Sequence, residues 1–397
     1  MSTIYRKYKL CQIGQIVSGA TPKTSNTEYF GGDIAWITPA DLSGYTGMYI
    51  SSGARMLTQS GYDSCSTQLM PKGTVLFSSR APIGYVAIAS NPICTNQGFK
   101  SVVPDSSKLT SEFLYYQLKY LRKKIQDMGS GTTFKEISSK AFGQIEITVP
   151  PITEQERIVA QIEELFSQLN KGVETLQKTK QQLAVYRQAV LKSAFNSVAK
   201  KKPIREMASI VTSGSRGWAK YYSDHGARFI RITDLTRDGI RLKNDNIQLV
   251  ALPDEAEGKR SRLEKNDVLV SITADLGSIA LIPDSIGEAY VNQHIAMIRF
   301  NNPAQGEYMA WYLKSDYGQK DLLKNKRGGG KLGLGLDDIR DTPVPVVSDQ
   351  EAEATLVQIE ARLSVCDSIE RTVDTALQQT KAMRQSVLKK AFEGRLL

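Results

Sequence analysis

The hydrophobic pattern of this chain shifts from an irregular, strand-like rhythm to a long helical one, and later does so again. From Thr153 onward, Ile162, Leu169, Leu176, Leu183 and Val190 recur at one heptad position. Ile158, Leu165 and Tyr186 occupy the complementary core position, which Gly172, Thr179 and Ser193 weaken. An apolar residue at every half-step of about 3.5 residues marks a helix lying along another helix. Pro150-Pro151 stops the segment before it, and Thr153 with Glu156 has the spacing of a capping box. The pattern predicts a rod of about 45 residues, roughly 65 Å long at ~1.5 Å per residue. That is more than a small domain needs for its own core, so the rod is expected to be a spacer, an assembly surface, or both.

The chain carries this element twice. Ser348 and Glu351 repeat the capping box behind Pro343 and Pro345, and Gln358-Ile359-Glu360 repeats Gln161-Ile162-Glu163. Arg187-Gln188-Ala189-Val190-Leu191-Lys192-Ser193-Ala194-Phe195 returns, ungapped, as Arg384-Gln385-Ser386-Val387-Leu388-Lys389-Lys390-Ala391-Phe392, with two differences. The second helix is less ideal, with Cys366, Val373 and Thr380 on its seam.

The segments between the helices read as globules. In residues 1–151, strands are predicted at 34–37, 74–78, 85–88 and 145–149 from their β-branched and aromatic content and their Gly, Pro and Asn boundaries. An amphipathic helix over 111–128 would bury Phe113, Leu114, Leu118, Leu121 and Ile125 and expose Lys119, Arg122, Lys123 and Lys124. A polar loop, 129–135, follows it. Residues 200–347 repeat the plan: Ile16-Val17-Ser18-Gly19 corresponds to Ile210-Val211-Thr212-Ser213-Gly214, and Gly73 through Ser78 and Gly84 to Asn266 through Ser271 and Gly277. Asn96-Gln97 corresponds to Asn292-Gln293, and Phe113 through Leu118 to Tyr308 through Leu313. The expected fold class is α+β: two similar mixed α/β domains separated by two long antiparallel coiled-coil helices, a pseudo-twofold internal repeat. Its blocks are 1–151, 152–199, 200–347 and 348–397. The globules diverge far more than the helices, as two copies of one device set to recognise different things would.

Composition narrows the class. With 397 residues, more than one core is expected. No apolar run approaches the ~20 residues of a membrane span, and the N-terminus lacks a signal-peptide core, so a cytoplasmic protein without a membrane role is expected. The four cysteines form no CxxC pair and read as reduced thiols, and two histidines make a zinc site improbable. A formal charge of +10 points first to nucleic acid as a partner, though a generally basic surface reads the same way.

A search for catalytic motifs returns little. Gly328-Gly329-Gly330-Lys331-Leu332-Gly333 has Leu332 where a phosphate loop needs Ser or Thr, and no GxGxxG opens a helix. Asp254, Glu257 and Lys259 crowd one short loop and read as solvated charge. Val149-Pro150-Pro151-Ile152 reads as a helix stop. DNA-contacting chemistry is better supplied. Lys23, Thr24 and Arg80, with Ser130, Thr132, Thr133 and Lys135 of the polar loop, are candidates in the first globule. Arg216, Trp218, Lys220, Arg231, Lys324, Lys326, Arg327 and Lys331 are candidates in the second. Lys and Arg neutralise phosphates, Gly-rich backbone approaches them closely, and Arg, Asn and Gln can pair with base edges. Asn96-Gln97 and Asn292-Gln293, being shared, favour a structural role. For the helix pair and for partner docking the candidates are Ile162, Leu165, Phe166, Leu169, Leu176, Leu183, Val190, Ile359, Val373 and Val387. Val159, Phe166 and Val173 flank the seam, so each helix offers more apolar surface than one partner helix covers.

Taken together the pattern resembles the specificity (S) subunit of type I restriction-modification systems. The resemblance is carried by Ser18-Gly19-Ala20-Thr21-Pro22-Lys23, by the run from Tyr29 to Leu42, and by Pro150-Pro151 leading into Glu154-Gln155-Glu156-Arg157-Ile158-Val159. The duplicated Arg-Gln-x-Val-Leu-Lys-x-Ala-Phe and the terminal Glu393-Gly394-Arg395-Leu396-Leu397 complete it. It implies two target-recognition domains, each reading half of a split site in double-stranded DNA, and a helical pair that sets their spacing and docks two methyltransferase subunits. Motor-nuclease subunits would complete the restriction enzyme. The chain would be non-catalytic and bind no cofactor. AdoMet for adenine-N6 methylation, and ATP with Mg for the motor-nuclease, would belong to its partners. The second globule departs from the first pattern at Ser213-Gly214-Ser215-Arg216-Gly217-Trp218, which implies a different half-site. A self-contained DNA methyltransferase or nuclease, and a coiled-coil scaffold without a DNA role, are the competing readings.

Overall fold

The computed structural model describes residues 5–131, 135–253, 259–324, 326–327 and 332–396. The chain folds as two compact units, Met1–Thr175 with Ala376–Leu397, and Leu176–Thr375. Their boundaries cut both long helices, Ile152–Ala194 and Asp349–Phe392, so each unit holds one globular head and a stretch of each helix.

In unit 1 a five-stranded sheet runs Gly14–Ser18, Lys100–Pro104, Val75–Phe77, Val86–Ala89, Tyr49–Ile50, with only the last pairing parallel. A three-stranded sheet, Met56–Leu57, Phe30–Ile37, Cys94–Thr95, lies in the same head. Unit 2 repeats this order. Ala208–Ser213, Ile295–Phe300, Val268–Ser271 and Ile279–Leu281 form one sheet, and Leu249–Val250, Ala227–Ile230 and Ala289–Val291 the core of the other. The repeat read from sequence is therefore a repeat of topology.

Each head packs one helix against the sheet that contains Val75–Phe77 or, in unit 2, Val268–Ser271. In unit 1 this is Ser111–Asp127, which buries Phe113, Leu114, Leu118, Leu121 and Ile125 as its periodicity predicts. Lys119 departs from the expected solvent face. It is drawn in beside Tyr115, donating to its hydroxyl at 2.8 Å, and burial, then Arg384 and Arg122, hold its pKa below the ordinary lysine value.

The ends of the long helices belong to these head cores. Ile158, Val159 and Ile162 join the unit 1 core together with Leu388 and Ala391. Val190, Leu191 and Phe195 join that of unit 2 together with Ala352, Ile359 and Leu363. The duplicated nonapeptide supplies the aromatic contact in each. Phe392 packs on Phe113 and Tyr120 with ring centroids 5.3 and 5.5 Å apart. Phe195 packs on Tyr308 and Tyr312, also at 5.3 and 5.5 Å.

Within unit 2 the two helix stretches are antiparallel, since Lys180 pairs with Asp374 at 2.8 Å and Arg187 with Asp367 at 2.6 Å. Leu183, Val190, Cys366 and Val373 are buried along that seam and Leu176 is half-buried. In unit 1, Thr380 is buried, Leu165, Leu169 and Val387 are half-buried, and Arg384 bonds Asn170.

Several expectations need correction. Tyr186 is 48% exposed, because its heptad line holds Thr179 and Ser193 on either side and offers it no apolar continuation. Thr153 is not an N-cap: the helix already starts at Ile152, and Glu154 and Gln155 N–H donate to Pro151 O. Its start is secured by the buried Gln155 side chain, which accepts from Thr110 N and donates to Lys108 O and Pro150 O. The box at Ser348 and Glu351 does form. The first helix ends at Ala194, short of the end of the 152–199 block. Finally, Ile162 and Ile359 are fully buried in head cores, and Phe166 lies between the Tyr116 ring and the Arg384 guanidinium. Ile162 and Ile359 are thus used inside the heads, and Phe166, half-buried, already carries two contacts within the chain.

Truncating a buried aromatic anchor should cost far more than truncating the exposed one. Phe195→Ala is expected to lose about 3–5 kcal/mol, and Tyr186→Ala to stay within about 0.5 kcal/mol, in side-by-side urea titrations.

Candidate nucleic-acid interface

Four loops converge on one edge of each head, three of them held by the same backbone bonds in both and the first crossing the same turn one residue apart. In unit 1 the loop after Gly14–Ser18 crosses the Asn96-Gln97 turn, with Ala20 N–H donating to Thr95 O at 3.0 Å. In unit 2, Gly214 N–H donates to Asn292 O at 3.2 Å. The crossing is so close that a Cβ on Gly19 would strike the carbonyl oxygens of Thr95 and Asn96, and one on Gly214 that of Val291. Only glycine fits there.

The turn beneath is fixed in the same way twice. Asn96 Oδ1 accepts from Gly98 N at 2.9 Å and Asn292 Oδ1 from His294 N at 3.1 Å. Asn96 N–H donates to Ile37 O, and Asn292 N–H to Ile230 O. The asparagines are scaffold, as their repetition suggested. The glutamines beside them are not: Gln97 is exposed and Gln293 half-exposed.

The third loop follows the strand ending near Ser78 or Ser271. Ser78 Oγ donates to Pro82 O and accepts from Tyr85 N, while Ser271 Oγ donates to Asp275 O and accepts from Ser278 N. Gly84 and Gly277 N–H close the loops onto Ser78 O and Ser271 O. Both loops hold an alanine in the left-handed region, Ala81 at φ 47° and Ala274 at φ 58°. A strained residue of this kind persists only where its surroundings over-determine it. The fourth loop follows the head helix. Ser130 and Glu136 exchange backbone bonds, and Ile137 N–H donates to Ser79 O. Arg327 and Gly333 do the same, with Leu334 N–H donating to Ile272 O.

Side chains on this common frame differ. In unit 1, Thr21 donates to Gln97 Oε1, and Glu136 lies 3.8 Å from Arg80 and 3.6 Å from the buried Lys100. In unit 2, His294 Nδ1 is 2.7 Å from Thr273 Oγ1 and its Nε2 is 3.0 Å from Gln293 Nε2. With the amide N–H of Gln293 donating to Nε2, the ring proton sits on Nδ1 and points to Thr273. Each edge thus offers amide, hydroxyl and cationic groups, the chemistry that reads base edges and phosphates.

The predicted contact residues divide. Lys23, Thr24, Ser130, Lys135, Arg216, Lys324, Lys326 and Arg327 are exposed on these loops or next to them, Arg327 also reaching Asp338 at 3.0 Å. Arg80 is half-buried on the same edge, and Lys220 is exposed over the Tyr221 ring. Trp218 is a correction: it is buried in an aromatic cluster with Phe229 and Tyr290. Arg231 is another, tied to Asn246 O at 2.8 Å and beside Asp234. Thr132, Thr133 and Lys331 lie outside the described residues. The sequence reading passed over Thr21, Gln97, Thr273 and Gln293 as contacts. The spacing Ser78–Gly84 and Ser271–Gly277, repeated in two divergent heads, was the available signal. Among the described residues no cluster of His, Cys, Asp or Glu could hold a metal ion, and no helix is long and apolar enough to cross a membrane.

Comparison with known proteins agrees with this architecture. The family model of the type I restriction modification DNA specificity domain matches residues 5–181 and 215–379. The chain is 42% identical to the type I restriction enzyme MjaIX specificity subunit of Methanocaldococcus jannaschii over 43% of its own length, and spans only 40% of that relative. It is 24% identical to the EcoBI specificity subunit of Escherichia coli, over 77% of this chain and 70% of the other. Among solved structures, a chain from a type I R-M system complex superposes with a TM-score of 0.75 at 16% identity, covering 98% of each chain. The HsdS subunit from Thermoanaerobacter tengcongensis superposes at 0.55 and 16% identity, covering 98% and 97%.

The crossing of the first loop over the turn gives a direct test. Gly214→Ala is expected to cost about 1–3 kcal/mol by overpacking, and to raise amide exchange at residues 291–294 while leaving the turn of unit 1 protected, as hydrogen-exchange mass spectrometry would show.

Proposed function

This chain belongs to the type I restriction modification DNA specificity family, a family of non-catalytic recognition subunits, and on that footing we propose that each head reads one half of a bipartite duplex target. The observation that carries this is the four-loop edge, built twice with matching backbone bonds in three of its loops and with different side chains. A reader that must meet the same double helix twice needs one frame. A reader that must distinguish two sequences needs different groups upon it. Exposed Lys23, Lys135, Arg216 and Lys326 supply phosphate contacts, and Gln97 in one head, with Gln293 and His294 in the other, face the bases.

The long helices set the distance between half-sites and hold two modification subunits. Those partners carry the methyl donor and transfer the methyl group to adenine, and motor-nuclease subunits join for cleavage. The complex works in the cytoplasm, where host DNA lies.

Three outcomes test the reading. Sequencing methylated bases in cells carrying Gln293→Ala with His294→Ala should show one half of the motif relaxed and the other intact; relaxation of both halves would contradict two separate readers. Lengthening both helices by four residues adds ~6 Å, of order one to two base pairs at ~3.4 Å each, and the methylated motif should gain that spacing. Alanine at Arg216 or Lys326 should weaken binding to target and random duplex alike and lower the salt slope by about 0.9.

A further inference from the structure

A glutamine side chain is ambiguous to a DNA base until something fixes its amide. One end donates two N–H groups and the other accepts, and a half-turn about the last side-chain bond exchanges them. On each reading edge a neighbouring side chain removes that freedom, and the two heads remove it in opposite senses.

In unit 1 the Thr21 hydroxyl donates to Gln97 Oε1. Thr21 is half-buried on the loop that crosses the Asn96-Gln97 turn, next to the Ala20 N–H bond to Thr95 O at 3.0 Å, whereas Gln97 is exposed. With the oxygen engaged, the end left for a ligand is the amide nitrogen and its N–H groups. In unit 2 the neighbour is an imidazole. Gln293 Nε2 lies 3.0 Å from His294 Nε2, and an amide nitrogen can only donate, so the ring accepts there. The ring proton is then on Nδ1, 2.7 Å from Thr273 Oγ1, which accepts it. Asn292 Oδ1 holds the His294 backbone N–H at 3.1 Å and anchors the ring at its root. Gln293 therefore has its nitrogen engaged, and the end left for a ligand is the oxygen.

These ends suit different bases. In the major groove guanine and thymine present a carbonyl oxygen, O6 or O4, where adenine and cytosine present an amino group, N6 or N4. N–H donors pair with the first kind and meet the second donor to donor; an amide oxygen does the reverse. We infer that Gln97 selects a keto base, guanine or thymine, in one half-site, and that Gln293 selects an amino base, adenine or cytosine, in the other. Thr21 and the His294–Thr273 pair are the positioning residues that decide which. The inference rests on the reading edges proposed above and adds the class of base at one position of each half-site. It also accounts for one glutamine being kept by two heads that read different sequences, since a neighbour, and not the reader itself, sets the preference.

The test makes one substitution in each head of the full chain and reads the motif by sequencing methylated bases in cells that also carry the modification subunit. Glutamate has the shape of glutamine and only accepts. Gln293→Glu is expected to keep the amino base in its half of the motif. Gln97→Glu is expected to lower methylation of sites with the keto base by about tenfold or more, in favour of adenine or cytosine at that position. The added charge is the same in both heads, so opposite outcomes separate base reading from a general repulsion of DNA. Thr21→Val and Thr273→Val check the positioning residues, each relaxing one position from one base class to both while the other half of the motif stays intact. Should a glutamate abolish methylation outright, the valine variants decide, because they leave the charge unaltered. A motif that responds alike to both glutamates, or that neither valine changes, overturns the inference. If Gln97→Ala, and Gln293→Ala with His294→Ala, leave both halves of the motif unchanged, the reading edges themselves are misplaced and the proposed function fails first. Relaxation in those alanine variants without the keto–amino contrast defeats this inference alone.

Discussion

The structure depends on a plug. The last aromatic of each nonapeptide packs on a head core, edge-on to Phe113 or Tyr308 with nearly the same geometry, while its second ring contact is stacked on Tyr120 in one head and edge-on to Tyr312 in the other. Aromatic pairs of this kind contribute about 0.5–1.5 kcal/mol beyond their buried area, but their more important effect is on connectivity. Because Leu191 and Phe195 are core residues of one head and Leu388 and Ala391 of the other, a helix cannot shift along its axis without unpacking a head. This explains why the nonapeptide is almost identical in two copies whose surrounding heads have diverged. Close-packed interiors tolerate small changes of volume poorly, and this stretch has neighbours on the head side and on the helix side at once.

Divergence is channelled accordingly. What the heads keep is backbone hydrogen bonding that specific small residues enforce: Gly19 and Gly214 at the crossing, Ser78 and Ser271 inside the tight loop, Asn96 and Asn292 under the turn. What they change is the set of side chains that these bonds display. Thr21 beside Gln97 in one head is replaced by the Gln293–His294–Thr273 chain in the other. A frame held by main-chain groups permits such exchange, since none of the displayed side chains is needed to hold it.

Much of this was legible in the sequence, and the misreadings share a cause. The helices, their seam residues Leu183, Val190, Cys366 and Val373, and the head helix follow from periodicity, because burial on one face writes itself at a fixed spacing. Tyr186, Trp218 and Arg231 were misassigned because one residue's type does not reveal its neighbours. An arginine after a strand can seek phosphate or, as Arg231 does, tie down a loop through Asn246 O. An aromatic on a basic loop can stack on a base or, as Trp218 does, fill a small core. Even the repeat, the strongest signal in the chain, could mislead: it marked Asn96-Gln97 as one structural unit, whereas the structure divides scaffold asparagine from displayed glutamine.

The seam itself is poor by coiled-coil standards, and this follows from the plug. Leu169 and Leu176 are only half-buried, Gly172 has open space where a side chain would stand, and Thr380 replaces an apolar residue. A self-sufficient coiled coil would need these positions filled to fix its register. Here register comes from the ends, where Ile158, Ile162 and Leu388 sit in one core and Val190, Ile359 and Leu363 in the other. Polar contacts near each end then differ freely. Arg187 meets the carboxylates of Asp367 and Glu370 at 2.6 and 2.9 Å, whereas its counterpart Arg384 meets the amide of Asn170 and stacks over Phe166. A pair of ions at one end and an amide at the other would be an unbalanced way to set register. It is unproblematic for helices whose positions the heads have already fixed, and it leaves the pseudo-symmetric frame chemically distinct at its two ends.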